Sequence, residues 1–449
     1  MTARMSAPVA VGVDLGSNSA RALALDPDGR VLGSARGPYP GAESWPDGRA
    51  EPEGWLAGVV RALDLLAGEV PGARRPAALS LGGQSPTTVP DGGGLAVTCR
   101  HPAGVTGTPE EQHLTQAELL RTERGPDLVP VQVYDWLSAR LGAGSAQSRW
   151  PGDPELLGYG PVAATGACVG VTDGSHGLPS GIPLIAGAQD AYLAIWAAGV
   201  DTPGRALDPG GRTGGLAVAV TAGAGNAGMY ALRSAAAGVD VVGGPVSGHG
   251  LMLEWLQTLT GRPVTELLAA AAEVPPGAGD VLVLPYLEGE RAPRWNRELR
   301  GEISGLSTSS GPGEITRAAL EGAAYGLAHI AAELRTQGVG LDVLVCAGAP
   351  ARSPLWCAIK AAVLEVPVEV PAETDLAAYG AALAAGAGAG WWPPPGTGSS
   401  GDWPRPAVTV VHPEPDPVYR RAYQRFVALG DAAELRQPEE THAQSDDLR

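Results

Sequence analysis

The chain reads as an α/β protein, and three observations carry that reading. Short apolar, strand-like runs alternate with segments of helical spacing in both halves. Several of the runs are apolar throughout, as buried strands are. A stretch punctuated by Gly and Pro, Gly199–Pro209, separates the two sets and places a domain boundary there. The 449 residues suffice for two or three domains with ample cores.

The first element is a strand from Val9 that ends in the carboxylate of Asp14, followed by a turn and a second strand from Arg21 to Leu25. Asp26-Pro27-Asp28-Gly29 then turns the chain into a third strand from Arg30. A loop over 37–53 containing Trp45 precedes a helix over 55–67, where Trp55, Val59, Leu63 and Leu66 share one face. Pro76–Leu81 is a buried strand that stops at Gly82-Gly83-Gln84-Ser85. Helical patterning returns at 115–124 and 133–141, and 142–167 reads as irregular. Pro183–Ala188 is another buried strand, which runs into Gln189-Asp190 and an apolar helix over 191–198. The second half offers strands at 216–220, 281–285 and 343–346. Its helices are expected at 251–259, 263–272, 314–337, 354–364, 376–385 and 417–433. Trp391-Trp392-Pro393-Pro394-Pro395 must be a loop, because consecutive prolines cannot continue a helix or a central strand. The boundaries that follow are 1–199 and 200–435, with a polar tail at 436–449 that the composition leaves frayed.

Composition narrows the function classes. Lys and Arg number 31 against 48 Asp and Glu, a net charge of −17, and Lys360 is the only lysine. Such an acidic chain is poorly suited to nucleic acid or to an anionic membrane surface. Cys99, Cys168, Cys346 and Cys357 are scattered, with no C-x-x-C pair, which argues against a zinc site or a disulfide framework. The seven histidines show no metal-ligand spacing. No leader-like segment or long apolar span is present, so a cytoplasmic protein is expected. A homodimer is carried as an open expectation for the assembly.

The turn Asp14-Leu15-Gly16-Ser17-Asn18-Ser19-Ala20-Arg21 has the chemistry of a phosphate site. Glycine lets backbone N–H groups approach oxygens, hydroxyls add donors, and the carboxylate can hold the water shell of Mg²⁺. A buried strand ending in an ordinary Asp turn is the competing reading. Asp208-Pro209-Gly210-Gly211-Arg212-Thr213-Gly214 repeats the pattern of Asp, Gly and hydroxyl at the same offsets in the second half. A third small-residue turn, Gly348-Ala349-Pro350-Ala351-Arg352-Ser353, joins a strand to a helix, where a helix N-terminus could also receive phosphate.

Taken together, these motifs resemble the FGGY carbohydrate kinases. The Asp14–Arg21 turn is similar to that family's phosphate turn. Tyr286-Leu287-Glu288-Gly289-Glu290-Arg291-Ala292-Pro293 resembles the segment before its signature helix, and 317–329 resembles the helix itself. Gly348–Trp356 is similar to the adenosine turn, and Ala378–Ala382 to the closing small-residue helix. The resemblance spans roughly 9–430 and is dense over 280–385. It implies two actin-like ATPase (ribonuclease H-like) domains with an interdomain cleft, a hinge near 199–209, and ATP-dependent phosphorylation of a sugar hydroxyl, most of all on a ketose such as xylulose.

The resemblance also implies roles for residues. Asp190, within Ile185-Ala186-Gly187-Ala188-Gln189-Asp190, is the catalytic base; read from the sequence alone it is better taken as a helix N-cap. Asp14 is the Mg²⁺ carboxylate, and Gln84 contacts the sugar through an amide that both donates and accepts. Gly16, Ser17, Asn18, Ser19 and Arg21 face phosphate, although Arg21 also fits a solvated strand position. Gly211, Arg212, Thr213 and Gly214 form the second phosphate turn, and Gly348, Ala349 and Ser353 cradle the adenosine. Two departures stand out. Arg212 replaces a small hydroxyl residue, where it could clamp phosphate or obstruct it. Val97-Thr98-Cys99-Arg100-His101-Pro102 lacks the family's Trp-x-Asp-x-Arg sugar segment. Those departures motivate an alternative, a catalytically silent relative that binds sugar or nucleotide as a regulator. Trp356 and His249 read as a core residue and a loop residue.

Overall fold

The computed structural model describes residues 8–39, 48–99, 101, 109–153 and 158–436. The expected loop around Trp45, Arg100 and Pro102 of the departing segment, and the tail beyond Arg436 lie outside the described residues. The chain forms two compact units. One comprises 1–201, 232–238 and 375–406, and the other 202–231, 239–374 and 407–449. The chain therefore passes between units more often than a single boundary near 200 implies.

The first unit is built on a six-stranded sheet. Its spatial order is Cys168–Val171, Pro183–Ile185, Ala78–Gly83, Ala10–Leu15, Ser19–Leu25 and Val31–Pro38. The last three form an antiparallel meander, whereas Ala10–Leu15, Ala78–Gly83 and Pro183–Ile185 run parallel. Their largely apolar character follows from cover on both faces. On one face lies the helix Pro52–Glu69, whose Trp55, Val59, Ala62 and Leu66 enter the core with Val11, Val13, Ala20 and Leu79. On the other lies Leu376–Gly388, built of small residues because the backbones nearly touch. A Cβ on Gly12 would fall 2.0 Å from the Ala382 nitrogen, and one on Gly380 would fall 2.1 Å from the Leu193 carbonyl. That helix, placed by sequence order with the second half, belongs to the first unit.

The second unit is built on a seven-stranded sheet. Its consecutive strands include Val239–Val246, Gly214–Thr221, Arg205–Asp208, Val343–Cys346, Val368–Pro371 and Val408–Val411. Arg205–Asp208 pairs antiparallel with Gly214–Thr221 and parallel with Val343–Cys346. The sequence of pairings repeats that of the first sheet: antiparallel strands on one side of the first strand, and on the other parallel ones closed by an antiparallel edge strand. Arg205–Asp208 lies in the stretch expected to be only a boundary. Its four residues sit between Gly and Pro, too short for any periodicity to declare itself. The helix Pro312–Thr336 is buried along most of its length, with Arg317 and Glu321 paired inside it at 2.8 Å.

Candidate active site

In the first unit, three parallel strands end side by side, and the predicted residues sit at those ends. Asp14 is the penultimate residue of Ala10–Leu15 and lies opposite Gly82 in the parallel register. The Gln84 amide donates to the Leu15 carbonyl at 2.9 Å. Gly83 bridges to Gln189, so Gln84 and Asp190 are held in neighbouring positions. Carboxyl ends of parallel strands are the usual ligand-binding edge of α/β sheets. The structure thus brings Asp14, Gln84 and Asp190 together along one sheet edge.

The electrostatics differ among them. Asp14 is buried, and its Oδ2 accepts from Arg21 Nη1 at 3.2 Å across the hairpin. Burial pushes the Asp14 carboxyl up, and Arg21 only partly opposes the shift. Its Oδ1 is buried with no hydrogen-bond partner, an oxygen free to face a cation or a cation's bound water. Among the described residues no cluster of three or more His, Cys, Asp or Glu would hold a metal unaided. Arg21 Nε also lies 3.6 Å from Asp375, which Arg36 meets at 2.9 Å. Arg21 is therefore engaged with carboxylates in this structure. Asp190 opens the helix Asp190–Ala197, with Gln189 at the N-cap position and the Asp190 carboxylate accepting from the Ala191 amide at 2.7 Å. Burial and then the charge of Asp14 push its carboxyl up to about 7.

The hairpin turn is open. Tyr39 donates from its hydroxyl to the Gly16 carbonyl at 2.9 Å and fixes the bend. Ser17 and Ser19 are half-buried and Asn18 is exposed. Among the described residues no side chain bonds to them, which leaves their donors available.

In the second unit, Asp208 ends its strand as Asp14 nearly does, but its oxygens are all used. Oδ1 accepts from the Gly210 amide at 3.1 Å, and Oδ2 accepts from Lys360 Nζ at 2.5 Å and from His249 Nε2 at 3.3 Å. Burial opposes the charge, yet Lys360 and His249 outweigh it and hold the Asp208 carboxyl below the ordinary range. The Gly210–Gly214 turn is tied further. The amides of Gly250 and Leu251 donate to the Gly211 and Arg212 carbonyls, both at 2.9 Å. Arg212 does not lie across the turn; its Nε meets Glu254 at 3.1 Å. Thr213 is exposed and Gly214 buried. Gly348 sits at φ 66°, where a Cβ would come 2.8 Å from the Pro209 carbonyl. The second and third turns are thus in backbone contact. Ala349 is exposed, while Ser353 caps the helix Pro354–Leu364 by accepting from the Trp356 amide at 3.3 Å. Trp356 is core, as its apolar neighbours suggest, and stacks on His249 at 5.4 Å.

Sequence reasoning missed the Asp208–His249–Lys360 cluster. Its members are up to 152 positions apart, and the one available signal was a sole lysine inside the apolar run Trp356–Leu364. It also missed His113, buried on the helix Pro109–Arg124. His113 Nε2 lies 3.0 Å from Ser85 Oγ, directly after Gln84, and Nδ1 lies 3.3 Å from Thr88. Burial brings its pKa down to about 4, so the ring is neutral.

Residues 220–389 match the model of the FGGY family of carbohydrate kinases, C-terminal domain. A glycerol kinase of Gloeobacter violaceus is 34% identical to the chain over 219 residues, 47% of this chain and 44% of that relative. The match spans about half the length of the curated relatives or less. A xylulose kinase of Brucella ovis has a TM-score of 0.79 at 21% identity, covering 96% of this chain and all of that one. A glycerol kinase of Plasmodium falciparum, solved with ADP, has a TM-score of 0.75 at 15% identity, covering 96% and 99%. These likenesses show the fold, a two-domain actin-like α/β fold. No described helix is long and apolar enough to cross a membrane.

Proposed function

We propose that the chain is an ATP-dependent carbohydrate kinase, transferring the γ-phosphoryl group to a hydroxyl of a small polyhydroxylated substrate. The observation that carries the reading is Asp190. Its carboxyl, raised to about 7 at a strand-end edge beside Asp14 and Gln84, is poised to take a proton near neutral pH. The substrate hydroxyl gives its proton to the Asp190 carboxylate as its oxygen bonds to the γ-phosphorus, and the bond to the β-phosphate oxygen breaks to release ADP. Such base assistance contributes roughly 10²–10⁴-fold, with positioning and charge neutralisation supplying the rest.

Gln84 orients the substrate, with an amide that donates to one hydroxyl and accepts from another. Ser17, Asn18, Ser19 and the Gly16 backbone take the transferring phosphate, and Arg21 is available to it from the Asp14 pair. Asp14, with its partnerless Oδ1, suits Mg²⁺, which when bound neutralises phosphate charge. Gly211, Thr213 and Gly214 face the nucleotide phosphates and Gly348, Ala349 and Ser353 its adenosine side. The match to the FGGY C-terminal domain and the kinase relatives support this assignment. Arg212, one motive for a silent protein, is taken up by Glu254. A ketose such as xylulose is the first substrate to try, with glycerol next. ADP release across a panel of ketoses, polyols and aldonates tests the reading. Saturable, substrate-dependent release is expected, and its absence across the panel would remove the kinase assignment.

A further inference from the structure

We infer that Asp208, Lys360 and His249 form a buried anchor that sets the Gly210–Gly214 turn for phosphate, as positioning residues that do not themselves touch the nucleotide. The inference rests on the kinase reading and adds what shapes its second phosphate turn. All three side chains are almost fully buried. Asp208 is the hub. Its carboxylate holds the Gly210 amide, Lys360 and His249, while its backbone carbonyl accepts from the Ala347 amide at 2.9 Å. A single residue thereby fixes the entry to both the second and the third turn. Those turns leave no slack between them. Gly210 and Gly348 sit at φ 61° and 66°, and a Cβ on Gly210 would come 2.2 Å from the Ala347 carbonyl.

Stability alone is a poor reason for this cluster. A buried ion pair can often be replaced by apolar residues of similar volume without loss, and in some proteins what it supplies instead is a fixed geometry. The helix Pro354–Leu364 is otherwise apolar on its buried side, and Lys360 is the one lysine of the chain. Trp356 closes over the pair, 4.8 Å from Nζ, and stacks on His249, which keeps the cluster dry. Burial pushes the His249 ring towards its neutral form against the pull of Asp208, and beside an ionised carboxylate, which can only accept, its Nε2 is the donor. Phosphate attraction is then left to the turn's own N–H groups, and the anchor acts through their positions.

Two measurements test this on the full-length protein. In the first, Mg·ADP affinity is measured by calorimetry and substrate KM by ADP release, for the parent, D208L/K360M and D208N/K360M. Removing both charges together leaves no buried ion unpaired, so both variants are expected to fold. D208L/K360M should lose about ten-fold or more in nucleotide affinity, with substrate KM within about two-fold. D208N/K360M, which keeps an acceptor for the Gly210 amide, should recover most of the loss. A folded D208L/K360M with the parent's affinity, or an Asn variant as weak as the Leu variant, overturns the anchor. A parent with no ADP affinity overturns the kinase reading and the anchor with it, and is told apart because the loss precedes any substitution. The second measurement needs no variant. Protein labelled with ¹³Cε-lysine carries one labelled side chain, and its signal should move on saturation with Mg·ADP. An unmoved signal sinks the proposal.

Discussion

Asp14 and Asp208 stand at matching places, near the end of the first strand of each sheet, and meet opposite fates. Asp208 has every oxygen occupied and is held ionised by Lys360. Asp14 keeps one buried oxygen without a partner, and its charge helps push Asp190 up to about 7. Asp190→Asn should lower kcat by roughly 10²–10⁴-fold while leaving the dissociation constant for Mg·ADP within about two-fold; paired turnover and calorimetry check this. In the parent, kcat/KM should rise with pH and level off near 7, because the proposed base works only when deprotonated. Stability should show the reverse sign. A carboxyl at 3.8 in the unfolded chain and about 7 in the folded one favours folding below about pH 4, and that contribution is lost as pH rises towards 7. Asp190→Asn should accordingly gain thermal stability over the parent as pH rises through that window, by of order 1–2 kcal/mol after solvent screening. A gain confined to acid pH would contradict the assignment of the raised carboxyl.

At the scale of elements, the helix Leu376–Gly388 shows what the sequence could and could not reveal. Its residues are small and apolar all round, so burial on every side was legible, and the expected range 376–385 falls inside it. Its destination was not, because local periodicity carries no information on which sheet a helix joins. The structure packs it on Ala10–Leu15 and against the helix Asp190–Ala197, behind the two carboxylates. Gly12→Val or Gly380→Val should therefore destabilise the fold by more than about 3 kcal/mol, read from denaturant midpoints. Ser353→Ala should cost only about 1 kcal/mol, since it removes a single cap bond. The Gly-rich turns were legible for a similar reason: Gly beside Asp and hydroxyls is local chemistry. The cluster beneath them was not, because Asp208 meets Lys360 through the parallel pairing of Arg205–Asp208 with Val343–Cys346 and meets His249 through the antiparallel run of Gly214–Thr221 and Val239–Val246.

For the whole molecule, the alternation of apolar runs and helical segments was enough to foresee an α/β chain in two units. The order of strands repeats in the two sheets, although little of the sequence does. Only the Asp-Gly-hydroxyl echo survives, and it marks the pivot of each sheet. A net charge of −17 sets the long-range field in which the proposed anionic nucleotide would approach. Because that field is screened within about 8 Å at 0.15 M salt, the KM for ATP should be lower in moderate salt than in dilute buffer. Stopped-flow association at rising ionic strength checks the direction, and a steady rise of KM with salt would contradict it.

The buried ion pair of Lys360 also makes the protein its own opening gauge. With no second lysine, an amine-acylating reagent can mark a side-chain ammonium only when the helix Pro354–Leu364 swings away from the sheet and exposes it. The rate of that acylation at a given reagent concentration reports how often the second unit breathes. Bound nucleotide should slow it, so one mass-spectrometric time course reads ligand binding and local unfolding from a single atom.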